Sequence, residues 1–142
     1  MKTSVIFDPE VAYGSIAEKN VMAYIDIIRQ GIQYKMFKIF ANASPFSLTE
    51  WSSYLHVSER TIQRLQKEKK KFDPLQSEKI LEIVLLYKKG VEVFGNAEKF
   101  NSWLEAENIA LGGVKPKSLL DSSFGINLLK DEFGRIEYGI LA

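Results

Sequence analysis

The sequence predicts an all-α protein: a helix-turn-helix part followed by a smaller helical unit. Three observations carry that prediction. Apolar residues recur at three- and four-residue spacing from about residue 21 to the end. Helix-start signals recur with them, at Ser47–Glu50, Asp73–Gln76 and Pro116. No stretch alternates apolar and polar residues with the strand period.

Residues 1–18 show weak periodicity, interrupted by Pro9 and Gly14. They are expected to form a weakly structured arm with a short ordered piece around Ser4–Phe7. Val21, Tyr24, Ile25, Ile28 and Ile32 mark the first strong helix, which Gly31 ends or bends. Met36, Phe37 and Phe40 form the buried side of the second, and Ala43-Ser44-Pro45 breaks it. Ser47-Leu48-Thr49-Glu50 is a capping box for a helix that turns Trp51 and Leu55 inward. Ser58 opens the next helix, in which Ile62 and Leu65 share a face. Asp73-Pro74-Leu75-Gln76 supplies a capping Asp, a Pro at the first helical position and a Gln three residues after the cap. The long stripe Ile80, Ile83, Val84, Tyr87, Val91 and Phe94 follows. Gly95 and Asn96 end that helix and begin another carrying Phe100, Trp103 and Leu104. Ala110-Leu111-Gly112-Gly113 is a turn, and Pro116 starts a short helix with Leu119 and Leu120. Ser122-Ser123 precede a last helix with Ile126, Leu129, Phe133 and Ile136 expected inward, and Ile140 as a further candidate for that face. The expected layout is an arm at 1–18, a helical domain at 19–93 and a C-terminal domain at 94–142.

The chain has 142 residues, of which 46% are apolar, enough for a packed core and against global disorder. It has no cysteine, which removes disulfides, thiolate metal sites and cysteine nucleophiles. That composition is compatible with a reducing cytoplasm. No apolar run approaches the roughly 18 residues of a membrane span. The N-terminus lacks the basic-then-apolar pattern of an export signal. One histidine and no clustered carboxylate pair leave little for acid–base or metal catalysis, so neither an enzyme nor a cofactor is expected. Net charge is only +1, but it is unevenly spread. Arg60, Arg64, Lys67, Lys69, Lys70 and Lys71 stand against Glu59 and Glu68, whereas residues 94–142 hold five basic and seven acidic groups. A basic centre and a mildly acidic C-terminal third point to two different partners.

Residues 48–67 fit a DNA-binding helix-turn-helix. Trp51, Leu55, Val57, Ile62 and Leu65 supply the apolar set, and Ser52 the small crossing residue. The turn is Leu55-His56-Val57-Ser58, with His56 where the backbone tends to take positive φ. In that register Ser58, Glu59, Arg60, Thr61, Gln63, Arg64 and Lys67 lie on the N-terminal half and outer face of a recognition helix. Arg and Gln bond base edges bidentately, and Lys and Thr hold phosphates. Lys69, Lys70 and Lys71 add attraction that is independent of base sequence.

The last stretch, from Trp103-Leu104 to Ala142, has no pattern that cofactor or metal chemistry requires. Its order does suit a surface that presents the chain's end to another protein. Four segments together resemble the Xre/MbcA/ParS-type antitoxins of bacterial type II toxin–antitoxin systems. They are Leu48-Thr49-Glu50-Trp51 through Val57–Arg64; Val91-Glu92-Val93-Phe94-Gly95; Trp103-Leu104 with Asn108 and Ala110–Gly113; and Pro116 with Leu119-Leu120, ending in Gly134-Arg135-Ile136-Glu137-Tyr138-Gly139. The resemblance covers about residues 25–142. Departures are His56 for the usual Gly, and Ser122-Ser123-Phe124 where Thr and small residues are frequent.

The resemblance implies an Xre-like helix-turn-helix domain and a C-terminal domain that binds a cognate toxin. Such toxins commonly carry a RES domain, resemble ADP-ribosyltransferases and deplete NAD. The antitoxin is expected to cover the toxin's NAD pocket with its C-terminal segment. Carried over onto this sequence, the toxin-binding residues are Arg135, Glu137, Tyr138, Gly139, Ile140, Leu141 and Ala142. Arg135 offers a planar fork of donors, Tyr138 an aromatic anchor with a polar tip, and Gly139 a close exit from the helix. The expected partners are a RES-type toxin, operator DNA and a second copy of the chain, because helix-turn-helix proteins usually read two half-sites. No membrane is expected among them. Two other readings stay open: a stand-alone helix-turn-helix regulator whose C-terminal unit dimerises, and an antitoxin whose helix-turn-helix no longer binds DNA.

Overall fold

The computed structural model describes residues 3–16 and 20–139. Among these residues the fold is all-α, with helices α1 (Thr3–Phe7), α2 (Val21–Gln30), α3 (Tyr34–Ala43), α4 (Leu48–Leu55), α5 (Glu59–Glu68), α6 (Pro74–Phe94), α7 (Ala97–Glu105) and α8 (Ser123–Glu137). Short 3-10 helices lie at Tyr13–Ser15, Ile109–Leu111 and Pro116–Asp121. The described residues form no strand, only isolated bridges between Gln33 and Lys71 and between Asn108 and Val114. Contacts divide the chain into two compact units, Met1–Leu85 and Leu86–Ala142. The division falls inside α6, upstream of the 93/94 boundary expected from sequence. The apolar stripe of α6 is continuous through that point, so no breaker residue marks it.

In the first unit the local signals set the helix ends. Gly31 takes φ 85° and its N–H closes onto the Ile27 and Ile28 carbonyls, ending α2. The capping box at α4 is complete: the Glu50 N–H donates to Ser47 Oγ at 3.1 Å, and the Ser47 N–H donates to the Glu50 carboxylate at 2.9 Å. At α6 the Gln76 N–H donates to Asp73 Oδ1 at 2.7 Å, and the Asp73 N–H donates to the Gln76 side chain at 3.2 Å. Trp51 then gathers the core. Its ring meets Phe37 (4.9 Å between centroids), Phe46 (5.6 Å) and Tyr54 (6.0 Å) edge-on. Such edge contacts add about 0.5–1.5 kcal/mol each beyond burial. Ser77 is fully buried but satisfied: its hydroxyl accepts from the Ile32 N–H at 2.9 Å and donates to the Phe72 carbonyl.

Two expectations need correction here. The ordered piece expected around Ser4–Phe7 is α1, but the segment around it is not a loose lead-in: Ile6, Phe7 and Ile16 are fully buried, α1 packs on α3, and the Tyr24 hydroxyl donates to the Ile16 carbonyl. Five residues of helix are too few to show a period, so their burial left no trace in the pattern. In α2, Val21 is 53% exposed, and Ile27, absent from the expected stripe, is the buried residue. The buried face is thus rotated from the one the spacing indicated.

The second unit is built on Phe100 and Phe133. Phe100 contacts Phe94 (5.4 Å), Tyr87 (5.3 Å) and Phe133 (5.5 Å). Gly90 lets Phe100 in, since a Cβ there would overlap the ring. Gly125 likewise allows the start of α8 to lie against the Leu119 carbonyl. Asn96 caps α7 by accepting from the Lys99 N–H, and Ser122 caps α8 by accepting from the Gly125 N–H. Ile126, Leu129 and Phe133 point inward from α8, while Ile136 and Trp103 are half-buried. The Gly112-Gly113 turn is closed by the Gly113 N–H on the Asn108 carbonyl at 2.8 Å.

Candidate functional site

Two surfaces collect the residues singled out by sequence, one in each unit. In the first unit, α4 and α5 meet through a tight turn. His56 sits at φ 56°, in the left-handed region. The Val57 N–H bonds to the Ser52 carbonyl (3.2 Å), and the His56 N–H to the Ser53 carbonyl (3.3 Å). This is a Schellman ending with histidine at the position usually held by glycine. Ser58 then caps α5 by accepting from the Thr61 N–H at 3.0 Å.

That geometry separates Ser58 and the six candidate residues of α5 into two groups. Arg60, Gln63, Arg64 and Lys67 lie at helical spacing on one exposed face, opposite the buried Ile62 and Leu65. Arg64 makes an exposed ion pair with Glu68 at 3.7 Å, of the kind worth little in water. It remains available to another anion. Ser58, Thr61 and Glu59 are engaged within the protein. The Ser58 and Thr61 hydroxyls bond one another at 3.0 Å, and Thr49 Oγ1 donates to Glu59 Oε2 at 3.3 Å. The exposed face is basic and rich in groups that bond base edges.

Sequence reasoning set Lys69 against DNA but passed over the surface around it. A cavity of about 500 Å³ beside α5 is lined by Gln33, Tyr34, Lys35, Lys38, Gln66 and Lys69. The Tyr34 hydroxyl donates to Gln66 Oε1 at 3.4 Å, and burial raises its pKa. No helical period links Lys35 and Lys38 to Lys69, so pattern analysis had no means of grouping them.

In the second unit, the residues expected at the toxin surface sit at the end of α8. Arg135 Nη1 donates to Glu132 Oε2 at 2.9 Å, and Glu132 is buried. Lys89 Nζ donates to Glu137 Oε2 at 3.1 Å and lies 3.7 Å from Glu92. Both charges therefore have partners within their own unit. Tyr138 is 78% exposed, and Gly139 takes φ 69° as the chain leaves the helix. Ile140, Leu141 and Ala142 lie outside the described residues. Phe124 (90% exposed) and Leu128 were missed. With Asp131, Arg135 and Tyr138 they form an exposed stripe along α8 at four- and three-residue spacing. The signal for them was present: they are apolar residues off the inward stripe of Ile126, Leu129 and Phe133.

Among the described residues no group of three or more His, Asp or Glu side chains is placed to hold a metal ion, and no helix is long and apolar enough to cross a membrane.

Comparison with known families matches residues 23–85 to the "Antitoxin Xre-like helix-turn-helix domain" and residues 89–139 to the "Antitoxin Xre/MbcA/ParS C-terminal toxin-binding domain". Neither is a catalytic domain. The chain is 27% identical over 117 residues to a protein named Antitoxin Xre from Photorhabdus laumondii, covering 82% of this chain and 79% of that one. It is 29% identical over 87 residues to an Antitoxin Xre from Yersinia enterocolitica, covering 61% of this chain and 59% of that one.

Proposed function

We propose, for a chain that belongs to the Xre/MbcA/ParS-type antitoxins of type II toxin–antitoxin systems, that it neutralises a RES-type, NAD-depleting toxin by covering the active site with its C-terminal segment. Tyr138, Gly139 and the following Ile140–Ala142 enter the toxin's pocket. Arg135 and Glu137 hold the base of that segment through Glu132 and Lys89. The observation that carries this reading is the end of α8: an exposed aromatic residue and a left-handed glycine terminate a helix whose outward stripe is already apolar at Phe124 and Leu128. Phe124, Leu128 and Tyr138 lie exposed along one side of this helix, where a partner would cover them. The chain also represses its own operon as a homodimer, with Arg60, Gln63, Arg64 and Lys67 of α5 directed at the operator.

The test is truncation after Glu137, which removes Tyr138–Ala142 and leaves both ion pairs of α8 in place. Co-expressed with its cognate toxin, the truncated chain is expected to lose co-purification and to leave cellular NAD depleted, while its unfolding midpoint stays close to that of the full chain. Toxin capture with NAD preserved overturns the assignment of this segment.

A further inference from the structure

The cavity beside α5 sets Lys35 and Lys38, which lie off the basic face of that helix, next to Lys69. Three cations line it, Lys35 and Lys38 from α3 and Lys69 from the end of α5, with no carboxylate among the lining residues. None of the three forms an ion pair with a described residue. The remaining lining residues are Gln33, Tyr34 and Gln66. Concentrating like charges around one concavity costs repulsion energy, which an anion entering it removes.

Backbone pairing builds this arrangement. The Phe72 N–H donates to the Ile32 carbonyl at 2.8 Å, and the Tyr34 N–H donates to the Lys70 carbonyl at 3.2 Å. Gln33 and Lys71 are bridged between them. The segment leaving α5 is thereby fixed to the start of α3. Lys69 is held at φ 53°, a left-handed conformation that is strained for a non-glycine residue. Its N–H bonds to the Gln66 carbonyl and that of Lys70 to the Leu65 carbonyl, a second Schellman ending in which glycine would be less strained. At the other wall, the α3 cap residue Gln33 makes no side-chain bond to the first turn of its helix. The positive end of that ten-residue helix reinforces the lysines.

We infer that this cavity clamps a phosphodiester of the DNA backbone, next to the bases that α5 faces. The occupant follows from position and charge. The cavity shares Gln66 and Lys69 with the recognition helix and its C-terminal cap. A duplex lying on Arg60, Gln63 and Lys67 carries phosphates at the margin of that face. The clamp rests on the DNA-binding reading of α5. It adds affinity and register without reading sequence.

The experiment measures binding of the full chain to two duplexes of equal length, its own promoter fragment and a scrambled version, over a fourfold range of salt. In Lys35→Gln/Lys38→Gln, affinity for both duplexes is expected to fall by a similar factor. The slope of log K against log salt is expected to flatten by about 0.9, for the one phosphate contact that the clamp supplies. Over the fourfold salt range the variant then loses roughly three- to fourfold less affinity than the parent. The ratio of promoter to scrambled binding stays unchanged. Lys69→Gly, which relieves the left-handed strain, is expected to bind both duplexes more weakly without any fall in unfolding midpoint. A parental salt slope in the lysine variants, with DNA bound and the preference still sensitive to Arg60→Ala/Arg64→Ala, overturns the clamp alone. A changed promoter-to-scrambled ratio in Lys35→Gln/Lys38→Gln also overturns it. No duplex binding by the parent chain overturns the clamp and the DNA-binding reading of α5 together.

Discussion

At Gly90 two effects of a single methyl group oppose each other. The residue lies inside α6, where alanine is ordinarily more favourable than glycine by about 1 kcal/mol. Its missing Cβ is also the space occupied by the Phe100 ring. Phe100 is fully buried among Phe94, Tyr87 and Phe133, so it has no room to withdraw. Overpacking of this kind costs about 1–3 kcal/mol and outweighs the helix gain. Gly90→Ala is therefore expected to lower the denaturant midpoint and weaken toxin capture, although no exposed residue changes. A raised midpoint would show that the ring can move and that helix propensity governs this position. The same single-atom logic places Glu132, whose near-complete burial is tolerated because Arg135 donates to it.

Among the elements, the turn into α5 has the most direct consequence. Ser58 entered the reading as a DNA-contacting residue, but its hydroxyl is committed to the Thr61 N–H and lies 3.0 Å from the Thr61 hydroxyl. Ser58→Ala is expected to destabilise the protein by about 1 kcal/mol through the lost cap. Ser58→Asn, which also caps, should restore most of it. Urea unfolding of the two variants separates the roles: equal midpoints would mean that the cap contributes nothing and that the hydroxyl is free for DNA. How α5 presents its basic face was legible in advance, because Ile62 and Leu65 specify the inward side by spacing alone. The rotation of α2 was not, since four of its five expected core residues tolerate partial or full exposure while Ile27 takes the interior. Helical spacing shows that a stripe exists. Which part of a broad stripe is covered depends on the helices packed against it.

For the molecule as a whole, each unit holds its own surface: the basic face of α5 in the first, the end of α8 in the second. The two activities should then separate by mutation. Arg60→Ala/Arg64→Ala is expected to abolish preference for the promoter fragment and leave toxin co-purification intact. Truncation after Glu137 is expected to do the reverse. Duplex binding and toxin pull-down on the same two proteins check this, and either variant losing both activities would count against the division of labour.

What the amino-acid order determined alone was the local and periodic: the all-α class, the capping boxes at Ser47 and Asp73, the glycine stop at Gly31, the left-handed histidine and the outward face of α5. Each depends on residues within about one or two helical turns, so the chemistry is readable along the chain. Tertiary structure decided the rest. Ile6, Phe7 and Ile16 form part of a core that their own segment is too short to announce. Arg135 and Glu137 acquired partners at Glu132 and Lys89. Lys35, Lys38 and Lys69 came to share one cavity because backbone hydrogen bonds join Ile32–Tyr34 to Lys70–Phe72. Contacts between distant residues arise from burial and hydrogen-bond satisfaction across the packed chain, and a one-dimensional pattern holds no record of that geometry.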